Sequence, residues 1–371
     1  MKELAMELCS NDLSQAIRDV TRLRSAEWLA EIRGLSRSLK TVTDFPIETL
    51  RRCSAIEQWI GGDNDALLRY YVWLASGCLT TAFIATQRNA AIRRIETSFN
   101  HALKNELLPS VVAGSAFVTV GISHLTTSRQ HISKAPLQAT PMGDGWLLDG
   151  YCPWVTGGCY AKWLVVGAVE RRVELDTVDT DSAVALKELL FAVPGARTGV
   201  IVETGADLMA LSASATGQVR FANVILNPSE ILHGPIANVM TASGMSGGAG
   251  GLQSSALAIG HAAQAIEYLL GESKARPDLR AVANRFVDQW QKLYADLLAL
   301  AKGEPVRDAG KIRKSANDLA LNSTQAALIA AKGAGFTNDH DVGRWCRESL
   351  FFLVWSCPHA VAQSHLCSFT A

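Results

Sequence analysis

The 371-residue sequence is short of charge, and the charge it carries is balanced. Lys and Arg together number 35, and so do Asp and Glu, so the formal net charge is zero and only 19% of residues are charged. A basic surface that would attract nucleic acid or an anionic membrane is therefore not indicated. The sequence also lacks any run near the ~20 apolar residues of a membrane-spanning helix. We expect neither nucleic acid nor a membrane as a partner.

Paired cysteines and ordered metal ligands are lacking as well. The eight cysteines are scattered without a C-x-x-C pair, and the histidines do not fall at zinc-ligand spacing. The first 19 residues contain four acidic side chains and no uninterrupted apolar core, unlike a signal peptide. These features predict a cytoplasmic protein without a structural metal, most of whose cysteines act as small buried hydrophobes.

Proline is scarce at the start of the chain, where Pro46 is the only one before Pro109. Apolar residues recur there at three- and four-residue spacing, with polar caps at Asp63 and Asn64, which predicts consecutive helices. From about 115 to 228, short β-rich runs such as "AFVTVGI" and "KWLVVGAV" alternate with turn signals, which predicts an antiparallel sheet or small barrel. Helical patterning resumes after Gly250.

The resulting order is helices, sheet, helices, which indicates an α+β fold with a segregated middle sheet. No strand is followed by a G-x-G-x-x-G turn and a helix, so a dinucleotide site of the Rossmann type is not expected. The one glycine-rich stretch, "SGMSGGAGG" at 243–251, is interpreted as a loop over a pocket, with phosphate binding at the following helix as the less favoured alternative.

The segment "DGYCPWVTGGCYAKW", residues 149–163, is unusual in its concentration of aromatic, glycine and cysteine residues. Pro153 would be tolerated in a strand only at an edge or a bulge. A tryptophan offers a flat face, and the hydroxyl of Thr156 offers a small donor and acceptor. The composition suits a surface that holds a flat, partly polar molecule.

Two stretches resemble the acyl-CoA dehydrogenase superfamily. "GDGWLLDGYCPWVTGGCYAKWLVV" (143–166) is similar to its flavin-contacting strands, and "KGAGFTNDHDVGRWCRES" (332–349) is similar to its glycine loop and the arginines that follow. The resemblance implies an acyl-CoA dehydrogenase-like α+β fold: an N-terminal helical domain over 1–112, a middle antiparallel β domain over 113–235 and a C-terminal four-helix bundle over 236–371.

The resemblance also implies a flavin, FAD in the first instance, with FMN or an exchangeable reduced flavin as alternatives. It places Trp154 against the isoalloxazine ring and Thr156 near its N5 and O4 atoms. The cofactor-binding residues that it implies are Ser123, His124, Leu125, Trp154, Val155, Thr156 and Gly333. It further implies a homo-oligomer, a dimer or a tetramer. Arg344, Arg347 and Glu348 are interpreted as structural ion pairs between helices.

The sequence departs from the family where the family's dehydrogenases place a catalytic glutamate. Ser356 occupies that position, and its hydroxyl is too weak an acid to supply a carboxylate-like base. The start of the first bundle helix, where some relatives carry the glutamate, offers only Gln253. The catalytic candidates are Ser356 and, about one helical turn later, His359. His124 and His131 are candidates for contact with cofactor or substrate.

Three functions follow from the resemblance and its departures. The first is a dehydrogenase acting on the CH–CH group of an acyl thioester or similar small molecule. The second is a flavin monooxygenase on the same fold, which would use reduced flavin and oxygen and would not need the glutamate. The third is a non-catalytic protein that binds an acyl thioester or a partner. A separate flavin reductase or an electron-transfer protein is the expected partner of the enzymes.

Overall fold

A computed structural model describes residues 25–60, 63–126, 135–171, 186–242, 251–306 and 308–370. Helices come first, a sheet follows and helices close the chain, as the sequence predicts. One hydrophobic core, which includes Trp28, Trp73 and Trp290, joins the first helices to the last ones. Within the described ranges, no helix is long and apolar enough to cross a bilayer. Nor do His, Cys, Asp and Glu side chains gather there in a group of three or more suited to a metal.

Between residues 25 and 112, the described part of the chain forms five helices: α1 Ser25–Ser38, α2 Ile47–Ile60, α3 Asn64–Ala75, α4 Leu79–Glu96 and α5 His101–Val112. Asp63 caps α3 as predicted, because its side chain accepts hydrogen bonds from the backbone N–H groups of Asp65 and Ala66. The apolar pattern from α3 into α4 gives two helices rather than one. The helical conformation is interrupted at Gly77, and the thiol of Cys78 accepts a hydrogen bond from Thr81 N–H at the start of α4.

Eight strands form one sheet among the described residues: β1 Val118–Gly121, β2 Leu137–Met142, β3 Gly145–Val155, β4 Trp163–Glu170, β5 Lys187–Pro194, β6 Val200–Val202, β7 Gly217–Leu226 and β8 Ile231–Ala237. Their order is β6-β7-β3-β2-β4-β5-β8, with β1 beside β4. The sheet is mixed rather than purely antiparallel, because β4 pairs in parallel with both β1 and β2. The antiparallel prediction is wrong for those two pairs.

Strands β4 and β5 are apolar on both faces because each face meets a different core. Val165 packs in the core shared with α4 and α5, whereas Leu164 and Val166 pack in the core of the sheet's other face. Strands covered on both sides read as continuous apolar runs, which explains "KWLVVGAV". Strand β3 carries a register shift between Cys152 and Val155, so Pro153 lies at a bulge, as the sequence requires.

After β8 the chain forms α6 Val239–Ala242, α7 Leu252–Glu272, α8 Arg280–Ala301, α9 Ala309–Ala331, α10 Asp341–Ser349 and α11 His359–Ser368. Helix α7 packs against α3, α8 and α9. Gly260 allows the close approach to α3, since a Cβ there would lie 2.2 Å from the Val72 carbonyl oxygen. The three-domain division at 112 and 235 stays a prediction.

Candidate functional site

A cavity of about 930 Å³ lies where the first helices, the sheet and the closing helices meet. Helices α3 and α4, strand β1, the end of β3, the start of α7 and the segment after α10 all contribute to its wall. Four residues that the sequence predicts for the site line it: Ser123, Trp154, Thr156 and Ser356. The fold therefore brings together side chains from widely separated parts of the sequence.

Trp154 and Thr156 reach the cavity from the end of β3. Trp154 is 53% exposed, which is unusual for so large an apolar side chain. Val155, between them, is buried in the sheet core and does not line the cavity. Alternation along the strand thus turns Trp154 and Val155 to opposite sides.

The hydroxyl of Thr156 ends a short chain of hydroxyl groups. Thr216 Oγ1 donates to Thr156 Oγ1 over 3.0 Å, and Ser214 Oγ lies 2.8 Å from Thr216 Oγ1. Because Thr216 has one hydroxyl proton and gives it to Thr156, Ser214 must be the donor to Thr216. Thr156 is left with a proton that it can donate toward the cavity.

Gly157 fixes the turn that follows Thr156. Its φ is +64°, and its N–H donates to the carbonyl oxygens of Ser214 and Ala215 at 2.9 and 3.1 Å. A Cβ at this position would come within 2.8 Å of the Phe45 and Phe117 rings. Glycine is therefore required, and the turn holds Thr156 beside its hydroxyl partners.

The turn Ser123–Leu125, which follows β1, contributes one side chain to the cavity. Ser123 lines it, and its buried hydroxyl oxygen has no hydrogen-bond partner among the described residues. His124 is buried with Nε2 at 2.7 Å from the Gly167 carbonyl oxygen, and Leu125 packs in the core beneath α4. The side chains of His124 and Leu125 do not line the cavity. Their predicted contact with the cofactor stays a prediction.

Ser356 lies in the segment between α10 and α11, in the left-handed backbone region with φ +43°. Two contacts fix its neighbour Trp355. The indole stacks on Phe351 at 5.2 Å and 8°, and the guanidinium of Arg313 donates to the Trp355 carbonyl oxygen at 2.9 Å. A non-glycine residue at positive φ is uncommon and concentrates at functional sites.

Other predicted residues lie away from the cavity. His359 is exposed at the start of α11, and Gly333 lies in the turn Lys332–Phe336 with open space around it. Neither lines the cavity, so their roles stay predictions. His131 falls outside the described residues, and so does the glycine-rich stretch apart from Gly251, which does line the cavity.

Sequence reasoning missed the charge of the cavity. Arg93, Arg94 and Arg347 line it, whereas the described lining includes no Asp or Glu. Arg344 forms ion pairs with Asp341 at 3.0 Å and with Glu348 at 3.2 Å, but all three residues lie on α10, so these pairs form within one helix and not between helices as predicted. Arg347 forms no ion pair with a described residue. The paired arginines at 93 and 94 are visible in the sequence, but local pattern does not reveal that they face a cavity.

The carboxylate of Glu57 lies behind the cavity wall. Tyr71 lines the cavity and lies close to Glu57, whose side chain is 7% exposed and forms an ion pair with Arg88. Burial raises the pKa of Glu57 to about 7, more than its contact with Arg88 lowers it. The helical pattern of the sequence gives no sign that Tyr71 and Glu57 lie close together.

The residues present fit a flavin. The exposed indole of Trp154 suits a flat ring. The donor hydroxyl of Thr156 and the unpartnered hydroxyl of Ser123 suit a heterocycle rich in acceptors and N–H groups. The cavity therefore offers a face for the ring and polar groups for its edge, which is the fit that the resemblance implies.

Comparisons with known proteins bear on the fold that holds this cavity. No family model matches the chain. A curated relative, the probable acyl-CoA dehydrogenase fadE25 of Mycobacterium leprae, is 26% identical over 266 residues, which is 67% of this chain and 65% of the relative. The matched region thus spans just under two thirds of the relative's length.

Two solved structures share the architecture. A glutaryl-CoA dehydrogenase from Mycobacterium smegmatis, in complex with FADH2, superposes with a TM-score of 0.73 at 16% identity, over 96% of this chain and 93% of the other. Dibenzothiophene monooxygenase TdsC from Paenibacillus sp. A11-2 superposes with a TM-score of 0.70 at 18% identity, over 91% and 92%. The resemblance to the acyl-CoA dehydrogenase superfamily is confirmed, and the chain has that superfamily's fold.

Proposed function

We propose that this protein is a flavin-dependent oxidoreductase, with the flavin ring held at Trp154 and Thr156. The observation that carries the proposal is that these two side chains and Ser356 line one cavity of about 930 Å³. The ring would lie against the indole, and the substrate would occupy the remaining space toward Ser356. A flavin bound here would accept a hydride from the substrate or donate one.

The chain's own residues orient and shield the reaction. The relay from Ser214 through Thr216 leaves the proton of Thr156 directed to a cavity acceptor. Phe351 and Trp355 form an apolar part of the cavity wall, and Arg313 holds the backbone next to Ser356. Ser356 would position the substrate through its hydroxyl, which serves as donor and acceptor.

FAD and FMN are both candidates for the flavin. The glutaryl-CoA dehydrogenase neighbour is described in complex with FADH2, and a TdsC structure is described as FMN-bound. We propose FAD first and an exchangeable reduced flavin second. A cytoplasmic homo-oligomer, served by a flavin reductase or an electron-transfer protein, completes the proposal.

The leading activity is dehydrogenation of the CH–CH group of an acyl thioester or similar molecule. Its support is the fold and the relative named as a probable acyl-CoA dehydrogenase. Anaerobic addition of a mixed acyl-CoA panel to flavin-loaded protein tests it: bleaching of the oxidised flavin spectrum by one member is expected. The Ser356→Glu variant should change the rate of bleaching, because its carboxylate enters the cavity.

The second candidate is a monooxygenase that uses reduced flavin and oxygen. Two observations favour it: Ser356 stands where the resemblance implies a glutamate, and the described lining of the cavity contains no carboxylate. TdsC, which is named as a monooxygenase, has the same fold. A flavin that stays oxidised with every acyl-CoA, in a protein that binds reduced flavin more tightly, would favour this candidate. A protein that takes up no flavin in either redox state would leave only the non-catalytic binding function.

A further inference from the structure

Arg94 is a buried cation at the cavity that has no anionic partner among the described residues. Its side chain lines the cavity while only 4% of the residue is exposed. Burial alone lowers its pKa to about 10, so the guanidinium remains charged at neutral pH. A charge buried without a partner is costly, and such groups often mark binding sites.

The hydrogen bonds of the guanidinium leave one edge available. Nη1 donates to the Ala90 carbonyl oxygen at 2.7 Å, whereas Nη2 has only the thioether sulfur of Met240 at 3.9 Å. Nε has no partner among the described residues. Nε and Nη2 form the side-on edge of an arginine, which matches the two oxygens of a carboxylate.

An apolar surface leads away from this edge along α4. Phe83 and Arg94 are eleven positions apart on the helix, which is about three turns and roughly 16 Å, so they share one face. Phe83 packs edge-on against Phe351 at 4.8 Å and Trp355 at 5.0 Å, and all three rings line the cavity. A ligand that filled this path would have an elongated apolar body and an anionic end.

From this geometry we infer that the cavity takes a substrate with a free carboxylate, which pairs with the Nε–Nη2 edge of Arg94 while its apolar body lies toward Phe83. The inference rests on the proposed function only in treating the cavity as the substrate site. It adds the substrate class, a carboxylic acid on an extended apolar chain, and a specificity-determining residue.

Calorimetric titration with 6-phenylhexanoate and its neutral counterpart 6-phenylhexanamide tests the inference. Wild-type protein should bind the acid about tenfold or more tightly than the amide, since a hydrogen bond to a charged group is worth that much. Arg94→Gln should lose the preference. Arg93→Gln removes a neighbouring lining cation whose Nη2 contacts Asn64 Oδ1 at 3.2 Å, and it should keep the preference.

Equal affinity for acid and amide, or no binding of the acid by the wild type, would overturn the inference even if Arg94→Gln failed to fold. Loss of the preference in both arginine variants would show a general field effect and would also overturn it. Inorganic phosphate is titrated in parallel. If phosphate competes with the acid at equal affinity, the Nε–Nη2 edge of Arg94 binds phosphate rather than a carboxylate, and the inference is overturned. Flavin uptake by the same samples is measured separately, so a failed flavin site and a failed carboxylate site give different results.

Discussion

Thr216 donates its hydroxyl proton to Thr156 across 3.0 Å, and both side chains line the cavity. The two residues are 60 positions apart, on the loop after β3 and just before β7. Thr156 Oγ1 is thereby occupied as an acceptor and is set as a donor toward a ligand.

Removal of the Thr156 hydroxyl should weaken flavin binding. We expect Thr156→Val to lower flavin affinity by roughly tenfold and to lower the free energy of unfolding by about 1 kcal/mol, because Thr216 loses its acceptor. Thr156→Ser retains the hydroxyl and should bind flavin almost as the wild type does. Fluorescence titration and urea unfolding measure the two effects. Equal flavin affinity in the Val and Ser variants would contradict the role of this hydroxyl.

The approach of α7 to α3 gives a prediction about the core. Gly260→Ala should lower the free energy of unfolding by about 1–3 kcal/mol, since the new Cβ would meet the Val72 carbonyl oxygen at 2.2 Å. Gly271→Ala on the same helix is the matched control. Among the described residues, no atom beyond its own helix backbone and chain neighbours lies within 4 Å of the added Cβ, so this variant should gain up to about 1 kcal/mol of helix propensity. Urea unfolding that destabilised both variants alike would contradict this packing.

The backbone at Ser356 is expected to prefer glycine. At φ +43°, Ser356→Gly should raise the free energy of unfolding by up to about 1 kcal/mol, whereas the β-branched Ser356→Val should lower it by about 1–2 kcal/mol. Denaturant unfolding of the three proteins gives the order. A Val variant as stable as the Gly variant would show that this residue is not held in the left-handed region.

Buried His261 predicts a dependence of stability on pH. Burial lowers the pKa of His261 below its ordinary value of 6.5, although Glu348 opposes the shift. Because the folded state disfavours the protonated ring, its contribution to stability is present above about pH 6.5 and is lost as the pH falls from there to the folded-state pKa. His261→Gln should flatten the fall in unfolding free energy between about pH 7 and 5. His359→Gln, at an exposed histidine, is the control. If it flattened the dependence of unfolding free energy on pH as much as His261→Gln does, the role assigned to His261 would be contradicted.

Local pattern in the sequence is sufficient for some of these features. Pro153 requires a bulge and β3 has one. Trp154 and Thr156 both line the cavity, and their contact with a flavin stays a prediction. The parallel pairs of β4 are not predicted, because periodicity along a strand does not state which strand lies beside it. The helical pattern that closes the chain is interrupted after Ser349, where the chain turns toward Pro358 before α11 begins.

The electrostatics of the site depend on contacts between distant parts of the chain. Thr216, which orients Thr156, and Arg313, which holds Trp355, are 60 and 42 positions from their partners. Arg94 indicates a binding site only once the structure shows that no described carboxylate pairs with it. A sequence gives the residue types, whereas the lack of a partner is a property of the fold.

The most direct test of the account is anaerobic titration of the protein with FAD and FMN, oxidised and reduced. Wild-type protein should bind at least one of them saturably, and Trp154→Ala should weaken that binding about tenfold, because the ring loses its flat contact. Tyr151→Ala is the control, since Tyr151 is also an exposed aromatic residue of β3 but does not line the cavity. Flavin affinity unchanged in Trp154→Ala, or no flavin uptake by the wild type in either redox state, would contradict the account.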